Sequence, residues 1–233
     1  MELDSRMVLS VAFSALLMAV VFHFQAKSFP ITIKGIQRWS QAYWVFGAAA
    51  LLQAGRPYLP DFLSILLGTV MLQVGILLLY MGLCQFKNRE PNYLFWAVPA
   101  AVHLLGSLWF LYIDPILWAR VAVTTLTNAT LLGLCLTLVL TPNEGQGRWR
   151  FGSVFAAIFI AGVMSIALAR GGWALWVKPL APLSIAPTSY NVLTLLYPIT
   201  VVAFSMGLVL MAFDRLKLEL EYLISHDELT GAY

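Results

Sequence analysis

Charge is what this sequence has least of. Only 11% of its 233 residues are Asp, Glu, Lys or Arg, while 61% are hydrophobic. Soluble domains run near a quarter charged and half apolar, so the balance excludes an ordinary water-soluble fold and leaves a polytopic membrane protein. The cations are few and dispersed. The formal net charge is +3, yet no run of Lys and Arg is dense enough to track phosphates, and no nucleic-acid partner is expected. Cysteine is nearly absent. Cys84 and Cys135 both lie in apolar segments, where a thiol acts as a small buried hydrophobe, so no disulfide framework is expected. Carboxylates are almost missing from the apolar segments, which argues against the carboxylate rings of channels and against paired catalytic acids. No Lys lies between Tyr190 and Phe213, which excludes a retinal Schiff base in the last segment. Neither a repeat of fixed period nor an inverted repeat of the transporter kind is evident.

Long apolar runs are what the chain does have. A spanning helix needs about 20 largely apolar residues, and seven segments are candidates: 7–25, 41–54, 62–86, 93–113, 116–140, 151–168 and 192–213. The second is the weakest, because Arg56 and Pro57 interrupt it early. The opening MELDSR carries two acids against one Arg, and no small-residue cleavage site follows. The first segment therefore reads as a retained helix, not a signal peptide. Tight links such as GRPYLPD predict antiparallel neighbours. The expected fold is all-α: a bundle of seven transmembrane helices over residues 1–213.

Lys and Arg orient such a bundle. Lys27, Lys34, Arg38, Lys87, Arg89, Arg148, Arg150, Arg215 and Lys217 fall on one side; Arg6, Arg56, Arg120, Arg170 and Lys178 fall on the other. The richer side, which includes the C-terminus, is expected to be cytoplasmic. Seven crossings then put the N-terminus outside. Trp and Tyr near segment ends, such as Trp44, Trp109 and Trp118, fit an aromatic belt at the headgroups.

An ionisable or polar group inside a membrane is costly and marks a functional candidate. Arg120 is followed at helical spacing by Thr124, Thr127 and Asn128, so one stripe of the fifth helix is polar and must face helices or a hydrated cavity. One reading is an outward-opening ligand or anion pocket, anchored by Arg120 and walled by Thr124 and Asn128. The other is interhelical hydrogen bonding, with Arg120 reaching the headgroups or pairing with Asp61 or Asp114. His103, midway along the fourth helix, is a candidate for the same pocket and equally a satisfied core histidine. Gln53 and Gln73 are packing polar groups or pocket walls. His23 lies at a different depth from His103, and no carboxylate or Cys has ligand spacing to either, so no metal site is expected. The outer segment RGGWALWVKPLAPLSIAPTSYN, with Trp173 and Trp176, is expected to lie along the interface as a semi-ordered flap.

After Phe213 the composition changes abruptly to DRLKLELEYLISHDELTGAY. Phe213, Leu216, Leu220 and Leu223 fall at the a/d spacing of a coiled coil, with charged residues between them. Residues 214–226 are expected to form a helical stalk that relays register or rotation between two copies. The alternative is an amphipathic tail on the membrane surface. So short a seam does not dimerise alone.

HDELTGAY resembles the opening of a GGDEF domain, the catalytic module of diguanylate cyclases. Members commonly begin Asp-x-Leu-Thr-Gly behind a short stalk; the matching residues are Asp227, Leu229, Thr230 and Gly231, with Ala232 in place of the commoner Leu. The resemblance covers only the last dozen or so residues. It implies that residues 1–213 are a sensor region, and that 227–233 begin a domain whose nucleotide loop lies beyond this chain. Asp227 to Thr230 would then be a stalk-to-domain junction and not catalytic. GTP and magnesium would bind only in that missing domain, leaving this chain without cofactor or catalytic residue. The implied partners are the lipid bilayer, a second copy of the chain, and a small periplasmic or membrane ligand, in a bacterial inner membrane. A transporter or channel, or a plain anchor without a ligand, remains the alternative.

Overall fold

The computed structural model describes residues 2–30, 32–141, 150–177 and 188–225. The described residues fold into α1 (Glu2–Ser28), α2 (Ile36–Ala54), α3 (Gly68–Phe86), α4 (Tyr93–Leu108), α5 (Leu117–Leu140), α6 (Phe151–Val177) and α7 (Thr188–Ser225). A π-helical turn, Phe62–Leu67, leads into α3, and another, Trp109–Ile113, closes α4. No strand occurs among the described residues. Phe13, Leu94, Leu105, Leu126 and Ile158 stand more than half exposed, an outer surface suited to lipid and not to water.

Six stretches are long and apolar enough to cross a membrane: Val8–Ser28, Phe62–Phe86, Tyr93–Ile113, Trp118–Leu140, Phe151–Ala169 and Pro198–Ile224. The expectation was seven, and α2 is the difference. It begins at Ile36, before the expected Gln41, and so takes in Gln37, Arg38 and Ser40. Those residues, with Gln41 and Gln53, dilute its apolar character. The segment expected to form a flap is helical at both ends. Helix α6 runs on to Val177 and α7 begins at Thr188, while residues 178–187 lie outside the described residues.

Neighbouring helices pack α1 on α2, α2 on α3, α3 on α5, α5 on α6, α6 on α7 and α7 back on α1. Six helices thus close a ring, and α4 lies outside it against α5. Without a hydrophobic drive between helices in lipid, such a ring depends on close packing. One close joint is between α2 and α3. Trp39, Phe46 and Gln53 of α2 sit over Gly82, Gly75 and Gly68 of α3, so three side chains at seven-residue intervals fill three glycine notches in antiparallel register. A Cβ on Gly82 would lie 2.5 Å from Trp39 Cδ1. Phe22 of α1 joins from the other side, its ring 6.1 Å from Trp39 and 5.1 Å from Tyr43. The turn before α2 needs Gly35 at φ 97°, and its position against the Gly82 carbonyl leaves no room for a side chain.

Helices α6 and α7 meet by backbone. A Cβ on Gly207 would lie 2.6 Å from Ala156 Cα, and one on Gly152 would lie 2.5 Å from Met211 N. Small residues let the two helices approach this closely. At 38 residues, α7 is about 57 Å long at 1.5 Å per residue, well beyond the roughly 30 Å hydrocarbon core.

Candidate functional site: a polar layer at mid-membrane and the base of the exit helix

Gln73, His103 and Asn128 each lie within one residue of the midpoint of their span. Three helices therefore carry a polar side chain at one depth, where an unpaired group is most costly. The structure brings them together through α5. Gln73 Nε2 donates to Asn128 Oδ1 at 2.6 Å. His103 Nδ1 lies 3.1 Å from Thr127 Oγ1, and that hydroxyl donates to the Val123 carbonyl at 2.8 Å, with the Thr124 carbonyl at 3.1 Å. With its proton on either carbonyl, the hydroxyl accepts from His103, the arrangement that satisfies both groups; in that tautomer Nδ1 carries the hydrogen and Nε2 is a bare acceptor.

The layer is incompletely satisfied. His103 Nε2, Gln73 Oε1 and Ser107 Oγ are buried with no protein partner, and their residues are only 1%, 4% and 2% exposed. An unmet buried polar atom costs about 1–3 kcal/mol, so a dry, empty layer would be a substantial burden on a marginally stable fold. Ser107 was not singled out from sequence. Its signal was there, one helical turn after His103 on the same face.

Arg120 belongs elsewhere. It lies near the start of α5, seven to eight residues before Thr127 and Asn128, or roughly 11 Å along the axis. The side chain is partly buried, within electrostatic range of Arg56 and Asp61. Among the described residues it makes no ion pair with Asp61 or Asp114, so neither expected pairing forms. Thr124 contributes its carbonyl to Thr127. Along α5 the polar residues thus stand at two levels: Arg120 near the helix start, and Thr127 and Asn128 in the neutral layer with Gln73 and His103. The described residues contain no group of three potential metal ligands, and Cys84 and Cys135 are free and buried.

A second cluster surrounds α7 at the opposite end of the helices. Asp214 Oδ2 accepts from Gly152 N at 3.0 Å, and Arg150 Nη1 donates to the Asp214 carbonyl at 2.8 Å. Asp214 therefore serves the first turn of α6 as a cap supplied by another helix, a placement the helix dipole favours for an anion. Thr32 Oγ1 donates to Glu219 Oε2 at 2.7 Å, and the rings of Phe29 and Phe213 meet edge-on at 5.3 Å. Lys87 Nζ donates to the Thr141 carbonyl at 2.9 Å; burial, with Arg89 and Arg215 nearby, pushes its pKa down to about 8.

These contacts divide the a/d seam. Leu216 packs against the protein's own core, and Phe213 touches Phe29 while staying 50% exposed. Leu220 and Leu223 are 50% and 65% exposed. Helix α7 continues through the seam to Ser225 without a break; the junction residues Asp227, Leu229, Thr230 and Gly231 lie outside the described residues.

No protein-family model, curated protein or solved structure matches this chain.

Proposed function

We propose that this chain is the membrane-embedded input module of a bacterial diguanylate cyclase, acting on the alignment of two cyclase domains that follow it. The observation that carries the proposal is α7, one uninterrupted helix from Thr188 to Ser225. It runs from the bundle to the edge of the Asp227–Gly231 segment that resembles the start of a GGDEF domain. A helix held at its base by Asp214, Thr32 and Phe29 transmits a change in bundle packing as a shift or rotation. Such a device needs two packings a few kcal/mol apart, with an input that prefers one.

In this reading α2 is a seventh crossing. It lies along α3 from Gly82 to Gly68, with a length of about 28 Å from its 19 residues, and its polar groups face protein at several positions. The N-terminus is outside, the C-terminus is cytoplasmic, and the host membrane is the bacterial inner membrane. Two copies associate through Leu220, Leu223 and the domain beyond. The polar layer, with Arg120 at its outer mouth, is where a small periplasmic or membrane ligand acts. GTP and magnesium bind only in the following domain, so this chain performs no catalysis itself.

The test is an exchange of residues 1–213, in the full-length protein, for an unrelated membrane anchor. Cyclic di-GMP output is expected to lose its regulation. Output and regulation that survive the exchange unchanged would sink the proposal, as would a reading frame that stops after Tyr233.

A further inference from the structure

Helix α4 stands outside the ring, and its buried side chains among the described residues are His103 and Ser107. Both are polar, and both carry an unpartnered atom: Nε2 of His103 and Oγ of Ser107. Two polar side chains buried against the bundle, each with one atom that no protein group meets, call for a polar partner at that interface. We propose that this component is a water molecule resident between α4 and α5, bridging His103 Nε2 and Ser107 Oγ.

The chemistry of the two atoms selects the guest. Residues four apart on a helix share a face with Cβ atoms about 5–6 Å apart, which suits one bridging molecule. In the tautomer that satisfies Thr127, His103 Nε2 offers only a lone pair, so the guest there donates a hydrogen bond. Ser107 can accept the second bond or supply one. An anion has nothing to accept at Nε2. A metal ion lacks ligands, since no group of three His, Cys, Asp or Glu occurs among the described residues. Size narrows the choice further. A Cβ on Gly106 would meet Val123 Cγ1 at 2.9 Å, so α4 and α5 approach closely beside the site and leave little room for a larger donor. Water supplies both bonds and has the polar partners that a buried water requires. This inference is independent of the GGDEF reading; it concerns how α4 is attached, whatever follows Tyr233.

The experiment uses the whole chain in lipid bilayers with ¹⁵N-labelled histidine, followed by water-edited solid-state NMR. Magnetisation from water is expected to reach assigned His103 nitrogens at mid-membrane, and Ser107→Ala is expected to abolish that transfer. The same variant is expected to unfold at a lower temperature, because it removes one anchor of the bridge. Absence of water transfer to His103 in the unaltered protein overturns the proposal. So does a higher unfolding temperature in Ser107→Ala, which is the response of a dry site relieved of an unpaired hydroxyl.

Discussion

A single polar residue in this protein is defined by depth more than by type. Gln73, His103 and Asn128 occupy the middle of their spans and meet across α3, α4 and α5, while Lys87 sits just past the end of its span. Lys87 has no carboxylate beside it among the described residues; its amine donates to a carbonyl and shares its surroundings with Arg89 and Arg215. Burial and those two cations both disfavour the ammonium form. The folded pKa of about 8 lies below the ordinary 10.5, so between these values the unfolded chain binds the proton that the folded chain has released. Stability attributable to this group therefore rises with pH across that window and is least below pH 8. NMR of ¹³Cε-lysine-labelled protein is expected to show one resonance titrating near pH 8, missing in Lys87→Arg. A Lys87 signal that titrates with the other lysines above pH 10 would contradict the assignment.

At the scale of elements, glycine position decides which helices can approach. Gly68, Gly75 and Gly82 make a straight groove on α3 for Gln53, Phe46 and Trp39 of α2. A side chain at Gly75 or Gly82 must displace an aromatic ring. Gly75→Val and Gly82→Val are expected to lower stability by about 1–3 kcal/mol each through overpacking. Gly133 and Gly162 have nothing within 4 Å of an added Cβ, and Gly→Ala there is expected to be neutral or to stabilise by about 0.4–1 kcal/mol. Thermal unfolding of the four variants in one detergent checks the contrast, and equal losses at all four positions would count against the groove. The six apolar helices and the uninterrupted exit helix were legible in the sequence, because length and apolar content are local properties. The groove was not. The seven-residue spacing of the glycines can be read from the sequence, but it becomes a groove only once α2 is known to lie antiparallel to α3 with Trp39 opposite Gly82. The same limit applied to the site: Asn128 and His103 stood out as polar residues in apolar runs, but the links of Asn128 to Gln73 and of His103 to Thr127 depend on which helix faces which. The seam at Phe213 and Leu216 shares that limit, since heptad spacing does not say whether the partner is a second copy or the protein's own helices.

At the scale of the molecule, the closed ring makes α2 the element on which topology turns. Composition alone grants six crossings, and an even number puts both termini on one side of the membrane. Yet α2 packs between α1 and α3 along its length, from Trp39 beside Phe22 and Gly82 to Gln53 beside Gly68. In the proposed topology it crosses with its two neighbours. Its polar residues are tolerable on this account where protein covers them: Ser40, 5% exposed, donates to the Ala19 carbonyl at 3.3 Å. Gln53 lies against Gly68, and Arg38 and Gln41, bonded to each other at 3.0 Å, sit near the helix start where headgroups are within reach. With α2 crossing, the number is odd and the termini are on opposite sides, in accord with the excess of Lys and Arg on the C-terminal side. Reporters that are active on only one side, fused in turn to each terminus of the intact chain, are expected to give opposite answers. The N-terminal fusion should report the outside and the fusion after Tyr233 the cytoplasm. Two fusions that report the same side would mean an even number of crossings, with α2 folded back beside α1 and α3 without traversing the bilayer.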